Sequence, residues 1–126
     1  MAFIFYNPNP ESNLVGDCVI RAVSIVTGQD WDSTFLDLMK LGYELKDWPD
    51  ANWVWGRYLY EHGFRSYTIN EYTKRRYTVK DFCEDCPNCK GVLATGTHVV
   101  AIDNGNYYDT WDSGNEVPVY YWRKEN

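Results

Sequence analysis

The sequence predicts an α+β domain in which helices come first and a sheet follows. Three observations predict it. Up to His62 the apolar residues recur at helical spacing between capping and stop signals; from Gly91 onward four short runs of β-formers are separated by turn residues; and Asn104-Gly105, between the second and third runs, is the strongest short hairpin signal in the chain. A chain of 126 residues, 44% hydrophobic and 17% aromatic, can build one packed core, so residues 1–126 are read as a single domain.

Phe3 to Tyr6 reads as a strand ended by Asn7-Pro8-Asn9-Pro10, where two prolines remove donors. Asp17 as N-cap and Gly28 at the C′ position bound a helix from Cys18 to about Thr27. Its Val19, Ile20, Ala22, Val23, Ile25 and Val26 cover nearly every face, which makes it a central, packed helix. Asp30 caps a second helix with Trp31, Phe35, Leu38 and Met39 on one stripe. After the break at Asp47-Trp48-Pro49-Asp50, Asp50 is expected to cap a third helix from Ala51 to His62, closed by Gly63, with Trp55, Tyr58 and Leu59 as its packing face and His62 at the surface.

Phe64 to Ile69 suits a strand, and Asn70 to Tyr77 a polar excursion. Thr78-Val79-Lys80-Asp81 has the form of a capping box and opens a short helix to about Asp85. The four later runs, Gly91–Thr95, Thr97–Ile102, Asn106–Trp111 and Val117–Arg123, are expected to form a C-terminal antiparallel sheet.

A net charge of −6 argues against nucleic acid and anionic membrane surfaces as partners, since either needs a basic patch; Lys74-Arg75-Arg76 reads as a solvated turn. The first residues lack a basic n-region and no apolar run approaches about 18 residues, so a cytoplasmic protein is expected. Cysteines stand at 18, 83, 86 and 89; three within one short stretch suit a disulfide scaffold poorly, and reduced thiols are expected. The C-x2-C-x2-C spacing of Cys83, Cys86 and Cys89 can ligate zinc or an iron–sulfur cluster, but a structural zinc needs a fourth ligand. No metal or other cofactor is expected, the alternative being a site completed in space by Cys18 or His98.

Cys18 at the first position of its helix lies in the positive end of the helix dipole, which favours thiolate. His98 opens an apolar strand, and an acid follows one hairpin later at Asp109 or Asp112. A cysteine nucleophile needs a base within reach, and that base needs a third group to fix its tautomer. A two-residue turn at Asn104-Gly105 pairs Asp103 with Asn106 and puts His98 on the face of Asp109, whereas a three-residue loop favours Asp112. The two-residue turn is preferred, and with it Asp109.

The order Cys, His, Asp in these settings resembles the papain-like cysteine peptidase superfamily. Gly16-Asp17-Cys18 with Ala22 in the following helix is similar to its compact bacterial branch that processes leader peptides, Thr97 to Ile102 to its histidine strand, and Asp109-Thr110-Trp111-Asp112 to its Asn-Ser-Trp-Gly segment. The resemblance implies a papain-like fold, hydrolysis or transfer of peptide or isopeptide acyl groups by a Cys18–His98–Asp109 triad, and a peptide or protein substrate. Where the superfamily carries an oxyanion-hole glutamine this chain has Ser12 and Asn13, and Asn13 takes that role. A catalytically inert interaction module of the same fold is the alternative. Of the tryptophans, Trp48, Trp53 and Trp55 are candidates for a substrate groove, with core packing the simpler use.

Overall fold

Four helices and a mixed six-stranded sheet form from residues 2–70 and 76–125, the described part of a computed structural model. Residues 71–75, with most of the polar excursion and with Lys74-Arg75, lie outside the described residues. In chain order the elements are β1 (Ala2–Phe5), α1 (Cys18–Thr27), α2 (Trp31–Leu45), α3 (Asn52–Glu61), β2 (Phe64–Thr68), α4 (Val79–Asp85), β3 (Lys90–Ala94), β4 (Val99–Asp103), β5 (Asn106–Asp109) and β6 (Tyr120–Lys124). This is an α+β arrangement.

The strand order is β1-β5-β4-β3-β6-β2. The β3, β4, β5 and β6 pairings are antiparallel, as expected, but the sheet is neither wholly C-terminal nor wholly antiparallel. β1 lies parallel to β5, with Ile4 opposite Tyr108, and β2 closes the other edge against β6. Periodicity marks a segment as a strand without naming its partner, so the two early strands had no visible place.

The β4–β5 hairpin has the expected register, Asp103 opposite Asn106 and Ile102 opposite Tyr107. Asn104 and Gly105 both have positive φ, 57° and 81°, the backbone that a two-residue turn between right-twisted strands requires.

β3 and β4 are buried on both faces, which is why they read as continuous apolar runs. Val92, Ala94, Val99 and Ala101 pack against α1 and the inward side chains Leu38, Trp55 and Leu59 of α2 and α3. Leu93, Val100 and Ile102 face the opposite way, onto Tyr107 and onto Val79, Phe82 and Cys83 of α4. α1 is thus held between the sheet and two helices, the central position that its apolar faces predict. Gly91 has no room for a side chain: a Cβ there would run into the carbonyl oxygen of Trp122 on β6.

The helix ends follow the sequence with two exceptions. Gly28 closes α1 in the left-handed conformation, the Asp30 carboxylate accepts from the Ser33 N–H, and Thr78 and Asp81 form the complete reciprocal box. Asp17, however, makes no side-chain cap, because its carboxylate is turned to Arg21 and to the Trp31 indole. The N-cap of α3 is Ala51 rather than Asp50. No helix among the described residues is long and apolar enough to cross a membrane.

Candidate active site

α1 presents Cys18, half-buried, at its first helical position, and the Val99 N–H at the start of β4 donates to the sulfur. His98 immediately precedes β4. Its backbone is clamped by Thr95, whose Oγ1 accepts the His98 N–H at 3.0 Å while the Thr95 N–H donates to the His98 carbonyl at 2.8 Å. Asp109 is the last residue of β5. Both groups therefore stand where a strand ends, beside the first turn of α1.

The ring of His98 links the other two side chains. Its Nε2 lies 2.6 Å from Asp109 Oδ2, and its side chain hydrogen-bonds the Cys18 thiol. Since Nε2 is engaged by Asp109, Nδ1 is the nitrogen left for sulfur. Trp111 packs on the ring with centroids 4.8 Å apart. Asp112 is elsewhere: its Oδ1 accepts from the Tyr107 hydroxyl at 2.6 Å and from the Gly114 N–H at 3.0 Å. The structure thus joins Cys18, His98 and Asp109 and leaves Asp112 outside the group.

Asp109 is held by more than the histidine. Arg21 Nη2 lies 3.2 Å from its Oδ1, the Thr110 N–H donates to Oδ1 at 2.8 Å, and the Ser113 hydroxyl donates to Oδ2 at 2.7 Å. Arg21 also pairs with Asp17, which accepts the Trp31 indole N–H at 2.8 Å. Asp17, Arg21, Asp109, His98 and Cys18 form one connected line, and ionised they would alternate in sign. Sequence reasoning missed Arg21 and Ser113. The available signal was an arginine within a helix apolar on every side, since a buried guanidinium requires carboxylate partners.

These contacts set the protonation states. Burial by itself pushes the Cys18 thiol up, but hydrogen bonds from His98 and Val99 and the charges of His98 and Arg21 bring it below its ordinary value. Burial likewise disfavours imidazolium at His98, yet hydrogen bonds to Asp109 and Cys18, with their negative charges, push it up to about 9. The Asp109 carboxyl is also opposed by burial and is held below the usual carboxylate range by His98, Ser113 and the Thr110 N–H. Both shifts favour the thiolate–imidazolium pair over the neutral pair.

Cys18 and His98 line a cavity of about 170 Å³ together with Thr95, Gly96 and Trp55. Trp55 is fully buried, so its part is core packing as well as wall; its indole N–H is the one buried side-chain donor among the described residues without a partner. A second cavity of about 420 Å³ adjoins the first, and Asn13 lines this second one. Asn13 is exposed, with its main chain tied to Asn9 Oδ1 and to the Asn7 amide.

The remaining cysteines differ from expectation in one respect. Cys86 and Cys89 are joined as a disulfide, because the chain turns back after α4 and brings their Cα atoms to 5.4 Å. Bonded to each other, they offer no thiolates to a metal, and no cluster of three His, Cys, Asp or Glu side chains suited to a metal occurs among the described residues. Cys83 is a free, buried thiol that burial pushes up to about 11. Brief iodoacetamide treatment at neutral pH is therefore expected to label Cys18 well ahead of Cys83, which peptide mapping by mass spectrometry reads directly; labelling of Cys83 with Cys18 untouched would contradict these environments.

No family model matches the chain, and no curated protein or solved structure does so either.

Proposed function

We propose that the chain is a papain-like cysteine hydrolase or acyltransferase acting on peptide or isopeptide acyl groups, with Cys18 as nucleophile, His98 as acid and base, and Asp109 as the residue that orients His98. The observation that carries this reading is the His98 ring held between the Cys18 thiol and the Asp109 carboxylate. Cys18 from the start of α1 and His98 from the entry to β4 line one cavity, and Asp109 from the end of β5 binds the histidine, a convergence that packing alone does not require.

In the reaction the Cys18 sulfur bonds to the acyl carbon while the carbonyl electron pair moves onto oxygen. The oxyanion collapses, the bond to the leaving amine breaks, and His98 gives that nitrogen its proton. Water, or an acceptor amine, then attacks the thioester with His98 taking its proton, and Cys18 departs as thiolate. The Cys18 backbone N–H, one of the first-turn donors without an intrahelical acceptor, serves the oxyanion. Each such donor is typically worth ~2.7–4 kcal/mol. Asn13, which lines the adjoining cavity, is the candidate for a second donor.

The test is acyl-enzyme formation with p-nitrophenyl acetate. A nitrophenolate burst stoichiometric with protein, and acetylation mapped to Cys18, are expected, and His98→Ala should abolish the burst. Acetyl groups scattered over lysines, with none on Cys18, would return the chain to an inert interaction module.

A further inference from the structure

The three clustered cysteines, which the catalytic reading leaves unused, differ in exposure. Cys83 is a free thiol, 1% exposed, packed with α4 against the sheet, and burial pushes it up to about 11. Cys89 is equally buried, whereas Cys86, at the C-cap of α4, is half-buried and is followed by the exposed Pro87 and Asn88. A thiol approaching the Cys86–Cys89 bridge from solvent therefore meets Cys86 first.

The bridge is not a staple of the fold. It closes a loop over only two intervening residues, which constrains the unfolded chain little, and the Cys89 N–H donates to the Cys86 carbonyl at 3.1 Å, so a hydrogen-bonded turn shapes the same segment. What the bridged segment does hold is a contact. The Cys89 carbonyl accepts the Asn104 N–H at 3.3 Å, and a Cβ on Gly105 would lie 3.6 Å from the Pro87 carbonyl oxygen. Asn104 and Gly105 are the turn between β4 and β5, so the segment backs this hairpin at the end opposite His98 and Asp109.

We propose that Cys86–Cys89 is a thiol–disulfide exchange site whose redox state sets how firmly the β4–β5 turn is held. An external thiolate bonds to the Cys86 sulfur as the bond to Cys89 breaks, and Cys89 leaves as a thiolate that takes a proton from water. A second external thiolate attacks the external sulfur of this mixed disulfide, an external disulfide departs, and Cys86 is released and protonated. Two external thiols have then become one disulfide, and their two electrons have reduced the bridge; an external disulfide runs both steps backwards. Cys83, protonated and sealed in the core, takes no part. The inference stands apart from the catalytic reading of Cys18.

The experiment equilibrates the full chain in mixtures of reduced and oxidised glutathione, quenches it in denaturant with N-ethylmaleimide and maps the labels by mass spectrometry. The bridge is expected to open and re-close reversibly, with no glutathione on Cys83. In Cys89→Ser, Cys86 should take up glutathione as a mixed disulfide, and in Cys86→Ser, Cys89 should not. Amide hydrogen exchange at Asn104, read by NMR, should be at least about tenfold faster in the reduced form, while that of Val23 in α1 stays the same. A bridge that remains closed in excess reduced glutathione until the protein unfolds, or equal glutathione uptake in the two serine variants, overturns the exchange site. Equal Asn104 exchange in the two forms overturns its hold on the turn.

Discussion

Arg21→Met is expected to destabilise the fold by about 3–5 kcal/mol, the cost of leaving buried carboxylates without their cation. The Arg21 side chain is 8% exposed, and its partners Asp17 and Asp109 are 7% and 2% exposed. Methionine fills much of the volume, so the loss measures charge rather than a cavity. Asp17→Asn added to Arg21→Met should recover part of the loss, because one uncompensated charge is then gone. Urea unfolding reads both effects as shifts in midpoint at unchanged slope. A loss below about 1 kcal/mol for the single variant would mean that water reaches these groups and that Arg21 does not tie α1 to Asp109.

Asp109→Asn is expected to slow Cys18 alkylation and acyl transfer on the order of a hundredfold or more, while Asp112→Asn has little effect on either. Asparagine keeps the shape that Ser113 and Thr110 grip but gives up the charge that favours imidazolium at His98. Without it the His98 pKa falls and the thiolate loses its counter-ion. The charge also matters to stability, with opposite signs for the two partners. His98 is raised to about 9, so its contribution is complete below the ordinary histidine value and disappears as pH rises through about 9. Asp109 is lowered, so its contribution is present above the ordinary carboxylate value and disappears as pH falls through the lowered one. Equal loss of reactivity in the Asp109 and Asp112 variants would remove Asp109 from its assigned place.

What the sequence made legible was local. Asp17 and Gly28 bound α1 as read, because an N-cap residue type and a glycine suited to a left-handed terminus are recognisable from the residues alone. The choice of Asp109 over Asp112 followed from Asn104-Gly105, since a two-residue turn fixes the register of both strands and hence which acid meets His98. Contacts between distant segments were not legible. Nothing in Ala2–Phe5 names β5 as its parallel partner. Asp17 looked like a cap because cap residues are recognised by type, whereas its carboxylate is taken by Arg21 and Trp31 once the helices pack. The Cys86–Cys89 pairing depends likewise on the turn after α4. Trp48 and Trp55, alike in sequence, part company only in three dimensions: one stands in solvent at the cavity mouth and the other is wholly buried.

If Cys18 and His98 share their proton as a thiolate–imidazolium pair, the pH dependence of Cys18 alkylation by iodoacetamide reports it. The rate is expected to climb with an inflection below the ordinary thiol value of 9.0 and to change again near pH 9 as His98 loses its proton. In His98→Ala the first inflection should move up toward that of an ordinary thiol and the second should vanish. A native profile with one inflection at or above 9, unchanged in His98→Ala, would mean that Cys18 and His98 do not form such a pair.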